Sequence, residues 1–97
     1  DINPYLMMAG VLGAALLGIE DGLTPPAPIT GNAYDLDLPQ MPTKWQDAID
    51  AFESSPEMAR IFPPQLIENL VRTKRQELRY MAEMSPQEML ELYLDTV

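Results

Sequence analysis

The chain has 97 residues, enough for one small domain whose stability would be marginal without partners. Its 15 acidic and 6 basic residues give a formal net charge of -9, which argues against nucleic-acid binding because such a surface repels phosphate. It contains no cysteine and no histidine, so disulfides, thiolate metal ligands and the commonest general base are all excluded.

The first predicted element is a helix that starts at Pro4 and runs to about residue 18. Asn3 is a good N-cap, Pro4 suits the first helical position, and the residues at 20–22 are typical of a helix end. Bulky apolar residues surround the helix on every side. Small residues, beside which another backbone can approach closely, recur at Gly10, Ala14 and Gly18, with Ala9 and Gly13 in a neighbouring row.

A helix that is apolar all round needs a large core or a lipid bilayer, and 97 residues offer too little protein to cover it. Two interpretations stay open: a membrane span, or the core helix of a larger protein. The segment is short for a span and no Lys or Arg flanks it, which favours the second. The chain begins at Asp1 and lacks the basic start of a secretory signal, so we expect a processed chain or a piece of a longer one.

A long loop is predicted over residues 23–42, which contain five prolines and a turn signal at Gly31 and Asn32. Loops of this length are usually functional or lie over a neighbour. Apolar and acidic residues then alternate, as in a short extended stretch, at Tyr34, Asp35, Leu36, Asp37 and Leu38. The two aspartates are weak candidates for a cation site, because hard cations usually take more ligands.

Residues 43–97 predict a series of capped helices. Thr43 and Gln46 have the spacing of a capping box, and the helix they start carries Trp45, Ile49 and Phe52 on one face. A second, short helix is predicted to start at Ser55 and Pro56, with apolar residues at Met58, Ile61 and Phe62.

The longest predicted helix spans roughly residues 64–83. Within it, the stretch 72–79 has a net charge of +3, from four basic residues less Glu77: Arg72, Lys74, Arg75 and Arg79. We call these four residues the basic stripe. The stripe is typical of a solvated helix face, and the alternative is that it docks on an acidic surface of another subunit.

The last predicted helix covers about residues 86–94, with Ser85, Pro86 and Glu88 in the cap pattern. Its large apolar residues are Met89, Leu90, Leu92, Tyr93 and Leu94. So many apolar residues near a chain terminus predict docking, because a free end would fray.

The residues by themselves supply little chemistry. No nucleophile–base pair has supporting spacing, and no glycine precedes a Lys-Ser or Lys-Thr pair as in a phosphate-binding loop. The sequence therefore predicts no catalytic, cofactor-binding or metal-binding residue in this chain.

Several stretches, in order, resemble the glutamine synthetase family. "NPYLMMAGVLGAALLGIEDGL" is similar to that family's Asn-Pro-Tyr-Leu segment, which leads into a small-residue helix. "GNAYDLDLPQMP" resembles its Asn-Leu-Tyr-Asp-Leu loop, "WQDAIDAFESSPEMARIFPPQLIENLVRTKRQEL" its later helices, and "PQEMLELYLDTV" its Glu-Leu-Tyr ending. The likeness covers essentially the whole chain.

The resemblance implies a mainly α fold of four to five helices with a long Pro-rich loop, forming the C-terminal part of a larger α+β catalytic domain. In that domain residues 1–22 would be a core helix, 23–42 the loop, and 43–97 the C-terminal helices. The all-round apolar helix would then be covered by protein upstream of Asp1.

The implied activity is that of an ATP-dependent glutamate–ammonia or glutamate–amine ligase, which works through a γ-glutamyl phosphate with ATP and Mg or Mn. The helices after Trp45 look closer to γ-glutamylpolyamine or γ-glutamylmethylamide synthetases, which implies an amine co-substrate. The family's catalytic groups lie upstream of the Asn-Pro-Tyr-Leu segment, so the isolated chain is expected to be inactive. The alternative is a stand-alone helical interaction module that binds a full-length relative.

The resemblance also bears on Tyr34 and on partners. Tyr34 stands where the bacterial ammonia-using branch has a tyrosine that is adenylylated, although Ala33 replaces Leu and the following loop is shorter here. A regulatory modification and a loop tyrosine that packs its ring both stay open. The implied partners are the remainder of the ligase chain and a homo-oligomer of stacked rings, with Met89–Leu94 in the contacts between rings. Nucleic acid and membrane are not expected, and the implied location is cytoplasmic.

Overall fold

A computed structural model describes residues 3–96 of the chain. Five α-helices lie in this range: α1 (Pro4–Glu20), α2 (Trp45–Ser54), α3 (Pro56–Ile61), α4 (Pro64–Met81) and α5 (Pro86–Thr96). A short 3-10 helix spans Ala33–Asp35, and residues 3–96 contain no strand. The predicted mainly α class with five helices and a long proline-rich loop is confirmed.

Both ends of α1 follow from local hydrogen bonding. The Asn3 side-chain oxygen accepts the N–H groups of Tyr5 and Leu6, each at 3.1 Å, so the predicted cap is confirmed. The helix ends at Glu20, two residues later than expected, because the left-handed residue is Gly22 with φ of 63°. The N–H of Gly22 donates to the carbonyl of Ile19, and that of Leu23 to the carbonyl of Gly18, which is the Schellman pattern.

The predicted capping box at Thr43 is wrong. Helix α2 begins at Trp45 with Lys44 at the N-cap, and no side chain caps it. Gln46 instead donates its side-chain N–H to Asp50 one turn along, at 2.8 Å. The helix starts one residue too late for Thr43 to occupy the N-cap, so Thr43 and Gln46 do not stand at the N-cap and N3 positions that a capping box requires.

The predicted extended stretch within the loop is also wrong, because side chains bend the backbone locally. The Asn32 side-chain oxygen accepts the N–H of Tyr34, and its amide N–H donates to Asp35, both at 3.2 Å. Gly31, with φ of 98°, leads into this turn. Such Asn and Asp hydrogen bonds compete with extended backbone, and the described residues offer no strand with which this segment could pair.

The later caps agree with expectation. The Ser55 hydroxyl accepts the N–H of Met58 at 3.1 Å and so starts α3. At α5, Ser85 N–H donates to the Glu88 carboxylate at 2.7 Å, and Glu88 N–H donates to the Ser85 hydroxyl at 3.3 Å. This reciprocal pair of hydrogen bonds is a capping box. Helix α4 ends at Met81, two residues before the predicted end.

The helices form two contacting pairs, α1 with α3 and α2 with α4. The rings of Phe52 and Phe62, whose centroids are 6.0 Å apart at 51°, join α2 to the residue that follows α3. Only four apolar residues in the described part of the chain are buried: Ile49, Phe62, Val71 and Met81. The core is therefore small for the number of apolar residues present.

The chain is extended rather than compact. Its radius of gyration is 16.8 Å, whereas a compact chain of this length has about 13 Å. Its accessible surface is 8260 Å², against about 5,600 Å² for a folded monomer of this mass. The helices thus leave uncovered a large surface that a compact monomer would bury.

Candidate functional site

Helix α1 has one covered face, which receives the end of α3. A Cβ on Gly13 would lie 2.6 Å from Cγ2 of Ile61, and one on Gly10 would lie 3.8 Å from Cζ of Phe62. The close approach at Gly13 therefore requires a glycine. The predicted close approach is confirmed at Gly13. A Cβ on Gly10 would make only ordinary van der Waals contact, and one on Gly18 would meet nothing within 4 Å.

The opposite surface of α1 is apolar and exposed. Seven large side chains there are 46 to 84 % exposed: Tyr5, Met7, Met8, Val11, Leu12, Leu16 and Ile19. We call these seven residues the bare face of α1. An exposed apolar surface of this kind is unusual on a monomer and is typical of an interaction surface. No helix within residues 3–96 is both long and apolar enough to cross a membrane.

The C-terminal end of α1 is tied to α3 by Arg60, a contact that the sequence analysis missed. The Arg60 guanidinium donates to both carboxylate oxygens of Asp21, at 2.7 and 3.0 Å, and lies 3.5 Å from Glu20. Hydrogen bonding from Arg60 lowers the pKa of Asp21. Acidic groups at a helix C-terminus oppose the helix dipole, and Arg60 offsets that repulsion. The signal in the sequence was an acidic pair at a helix end with no cation nearby in the chain.

Helices α2 and α4 enclose an apolar cleft of about 240 Å³, lined by Trp45, Ala48, Ile49, Phe52, Leu70, Val71 and Lys74. This confirms the predicted apolar face of α2. Lys74 Nζ lies 5.6 Å from the centroid of the Trp45 ring and 3.0 Å from both carboxylate oxygens of Glu77. The lining lacks the convergent polar groups that a catalytic pocket uses, so the cleft supports packing rather than chemistry.

Most of the basic stripe is neutralised within the chain. Arg75 donates to Asp50 at 2.8 Å and to Glu53 at 2.6 Å, both on α2. Hydrogen bonds from Gln46 and then from Arg75 lower the pKa of Asp50. Arg72 pairs with Glu68 at 3.3 Å within α4.

Arg79 differs from the rest of the stripe. It donates to the neutral side chain of Gln76 at 2.9 Å and has no ion pair within residues 3–96. Arg72, Lys74 and Arg75 thus pair within the chain, which the prediction of a solvated helix face did not include, and Arg79 retains an uncompensated charge.

Tyr34 lies on the 3-10 turn with its side chain 96 % exposed, so its ring packs against nothing in the described part of the chain. The turn presents the phenol outward while Asn32 holds the backbone beneath it. Asp35 is held by Asn32, and no group of three or more acidic side chains within residues 3–96 is placed to bind a metal. The resemblance places Mg or Mn in the parent enzyme outside this chain, and we derive no metal-dependent step from these residues.

Helix α5 also has an exposed apolar edge. Leu90 is 53 % exposed and Leu94 is 70 % exposed, and the two lie one turn apart on the same side of the helix. Met89, Leu92 and Tyr93 are half-buried. One side of α5 is therefore partly buried within the chain, and the side that carries Leu90 and Leu94 is exposed to solvent.

The chain is similar in sequence to proteins of one family. A sequence model of the family described as "Glutamine synthetase, catalytic domain" matches residues 1–93. The chain is 37 % identical to a gamma-glutamylethanolamide synthetase of Streptomyces coelicolor over 78 residues, which cover 80 % of this chain and 17 % of the relative. It is 37 % identical to a glutamate–isopropylamine ligase of a Pseudomonas species, over all of this chain and 22 % of the relative.

A third relative is a glutamine synthetase of Aquifex aeolicus, 30 % identical over 96 % of this chain and 22 % of the relative. The chain thus spans about a fifth of the length of the curated relatives it matches. No solved structure matches it. The family match covers nearly every residue, includes the α1 segment on which the resemblance rested, and shows that the chain belongs to the glutamine synthetase family.

Proposed function

We propose that this chain is the C-terminal helical segment of an ATP-dependent glutamate–amine ligase, to which it contributes packing and assembly surfaces and no reacting group. The observation that carries the proposal is the bare face of α1, seven large apolar side chains that the chain itself leaves open. The remainder of the ligase chain covers this face. ATP and the divalent metal bind to that remainder.

The size of the uncovered surface supports this assignment. The accessible surface of 8260 Å² exceeds that of a compact monomer of the same mass by about 2,700 Å². Permanent interfaces bury roughly 2,000 to 5,000 Å² summed over both partners, which is about 1,000 to 2,500 Å² on each. The excess surface of this chain alone is at least that large, as expected for a permanent neighbour rather than a transient one.

The co-substrate is proposed to be an amine rather than ammonia. The two relatives at 37 % identity carry the names of an ethanolamide synthetase and an isopropylamine ligase, while the relatives named glutamine synthetase are 30 to 35 % identical. In such a reaction the γ-carboxylate of glutamate takes the terminal phosphoryl group of ATP and releases ADP. The amine then attacks the resulting γ-glutamyl phosphate, loses a proton and displaces phosphate to form the amide.

A second contribution is assembly. Leu90 and Leu94 form the open edge of α5, and Arg79 is the member of the basic stripe without an ion pair in residues 3–96. We propose that these groups contact a neighbouring subunit in a homo-oligomer of stacked rings. Apolar anchors with charged groups at the rim are the usual anatomy of such contacts.

The stability of a Leu16→Gln variant, measured in the isolated chain and in the full-length ligase, tests whether the remainder of the ligase covers the bare face of α1. Leu16 is 61 % exposed in the chain, and Leu and Gln have similar helix propensities, so the isolated chain should change by no more than about 0.5 kcal/mol. In the ligase the same change removes a buried leucine side chain and buries a polar amide. Together these should lower the free energy of unfolding by roughly 2 to 5 kcal/mol. Thermal unfolding of both proteins measures the difference.

The matched control is Leu17→Gln, one residue along, at a position already half-buried in the chain. It should destabilise both proteins. Equal effects of Leu16→Gln in the two contexts would show that nothing covers the bare face, and the proposal would then be wrong.

Activity is tested with glutamate, ATP and either ethanolamine or isopropylamine. The full-length ligase should release phosphate and form the γ-glutamyl amide, and the isolated chain should form none. Amide formation by the isolated chain would contradict the assignment of all reacting groups to the remainder. A short natural chain that co-purifies with a full-length relative would support the stand-alone module instead.

Leu94→Glu in the full-length ligase tests the role of α5, with native mass spectrometry as the readout. The added charge should shift the oligomer toward smaller species, because Leu94 would be desolvated in the contact. Gln87→Glu adds the same charge to the same helix without removing apolar surface, and it should leave assembly unchanged. An intact oligomer in Leu94→Glu, with unchanged resistance to salt, would exclude this edge from the contact.

A further inference from the structure

We draw no further inference here: the strongest candidate, the apolar cleft between α2 and α4 beside Trp45 and Phe52, carries none because nothing in the structure shows what covers it.

Discussion

The contact between Gly13 and Ile61 gives the sharpest prediction for a single residue. In Gly13→Ala the new methyl group would lie 2.6, 2.8 and 3.0 Å from three side-chain carbons of Ile61. All three distances are too short, and a turn of one torsion cannot relieve them together, so α3 must move away from α1. Overpacking of this kind costs about 1 to 3 kcal/mol.

A gain in helix propensity partly offsets that cost. Alanine is more favourable than glycine in a helix interior by about 0.8 to 1.0 kcal/mol, so Gly13→Ala should be destabilising by roughly 0 to 2 kcal/mol net. Gly18→Ala is the matched control on the same helix, because a Cβ there meets nothing within 4 Å. Gly18→Ala should gain stability from helix propensity alone. The free energies of unfolding of the two variants should therefore differ by about 1 to 3 kcal/mol.

The assay is thermal unfolding of the isolated chain, followed by the helical circular dichroism signal. For a domain of this size 1 kcal/mol corresponds to roughly 4 to 8 °C in Tm, so the expected difference between the variants is readily measured. Adding Ile61→Ala to Gly13→Ala should remove most of the clash, and the double variant should be less destabilised than the sum of the singles. If Gly13→Ala raised Tm as much as Gly18→Ala, the packing of α3 against α1 described above would be refuted.

Three further predictions concern ion pairs and caps. Arg75→Gln should lower Tm more than Arg72→Gln, because Arg75 joins α2 to α4 while Arg72 has a single contact within α4, and high salt should narrow the gap. Because Arg60 lowers the pKa of Asp21 from its ordinary 3.8, the stability from this pair is present above that pH and lost as the pH falls through the lowered value. Urea titrations of Asp21→Asn should therefore show a deficit at neutral pH that disappears in acid, and a deficit unchanged by pH would exclude the pair as its source. Ser85→Ala should cost about 1 kcal/mol of helix stability, seen as faster amide exchange in α5, and unchanged exchange would show that the cap contributes nothing.

The elements predicted correctly were those with a strong local signal. Asn3 followed by Pro4, and Ser85 followed three residues later by Glu88, fix helix starts through hydrogen bonds between near neighbours. The apolar spacing of Trp45, Ile49 and Phe52 identified the face of α2 that lines the cleft. Such features depend on residues close together in the chain and can therefore be predicted from the sequence.

The two wrong predictions arose where a sequence pattern fits more than one local structure. Thr43 and Gln46 have capping-box spacing, but α2 starts one residue too late to use it. The alternation from Tyr34 to Leu38 is typical of a strand, but Asn32 supplies hydrogen bonds that favour a turn. Without a partner strand in the described residues, the extended form gains nothing to offset them.

Contacts between distant residues were not predictable in detail. Arg60 and Asp21 are 39 positions apart. The acidic pair at the end of α1 indicates that a cation is needed there, but nothing in the sequence shows that Arg60 supplies it. The row of small residues in α1 indicated a close approach of another element. It could not show that Ile61 packs against Gly13 while no side chain packs against Gly18. The charges of the basic stripe predicted a solvated helix face, with docking as the alternative, but they could not show that three of the four residues pair within the chain.

The measurement that tests the proposal most directly is the intact mass of the gene product from the source cells, by denaturing mass spectrometry. If the chain is a segment of a ligase whose remainder covers the bare face of α1, the mass should be several times 10.9 kDa. A mass near 10.9 kDa would contradict this, and the bare face would then belong to a separate partner.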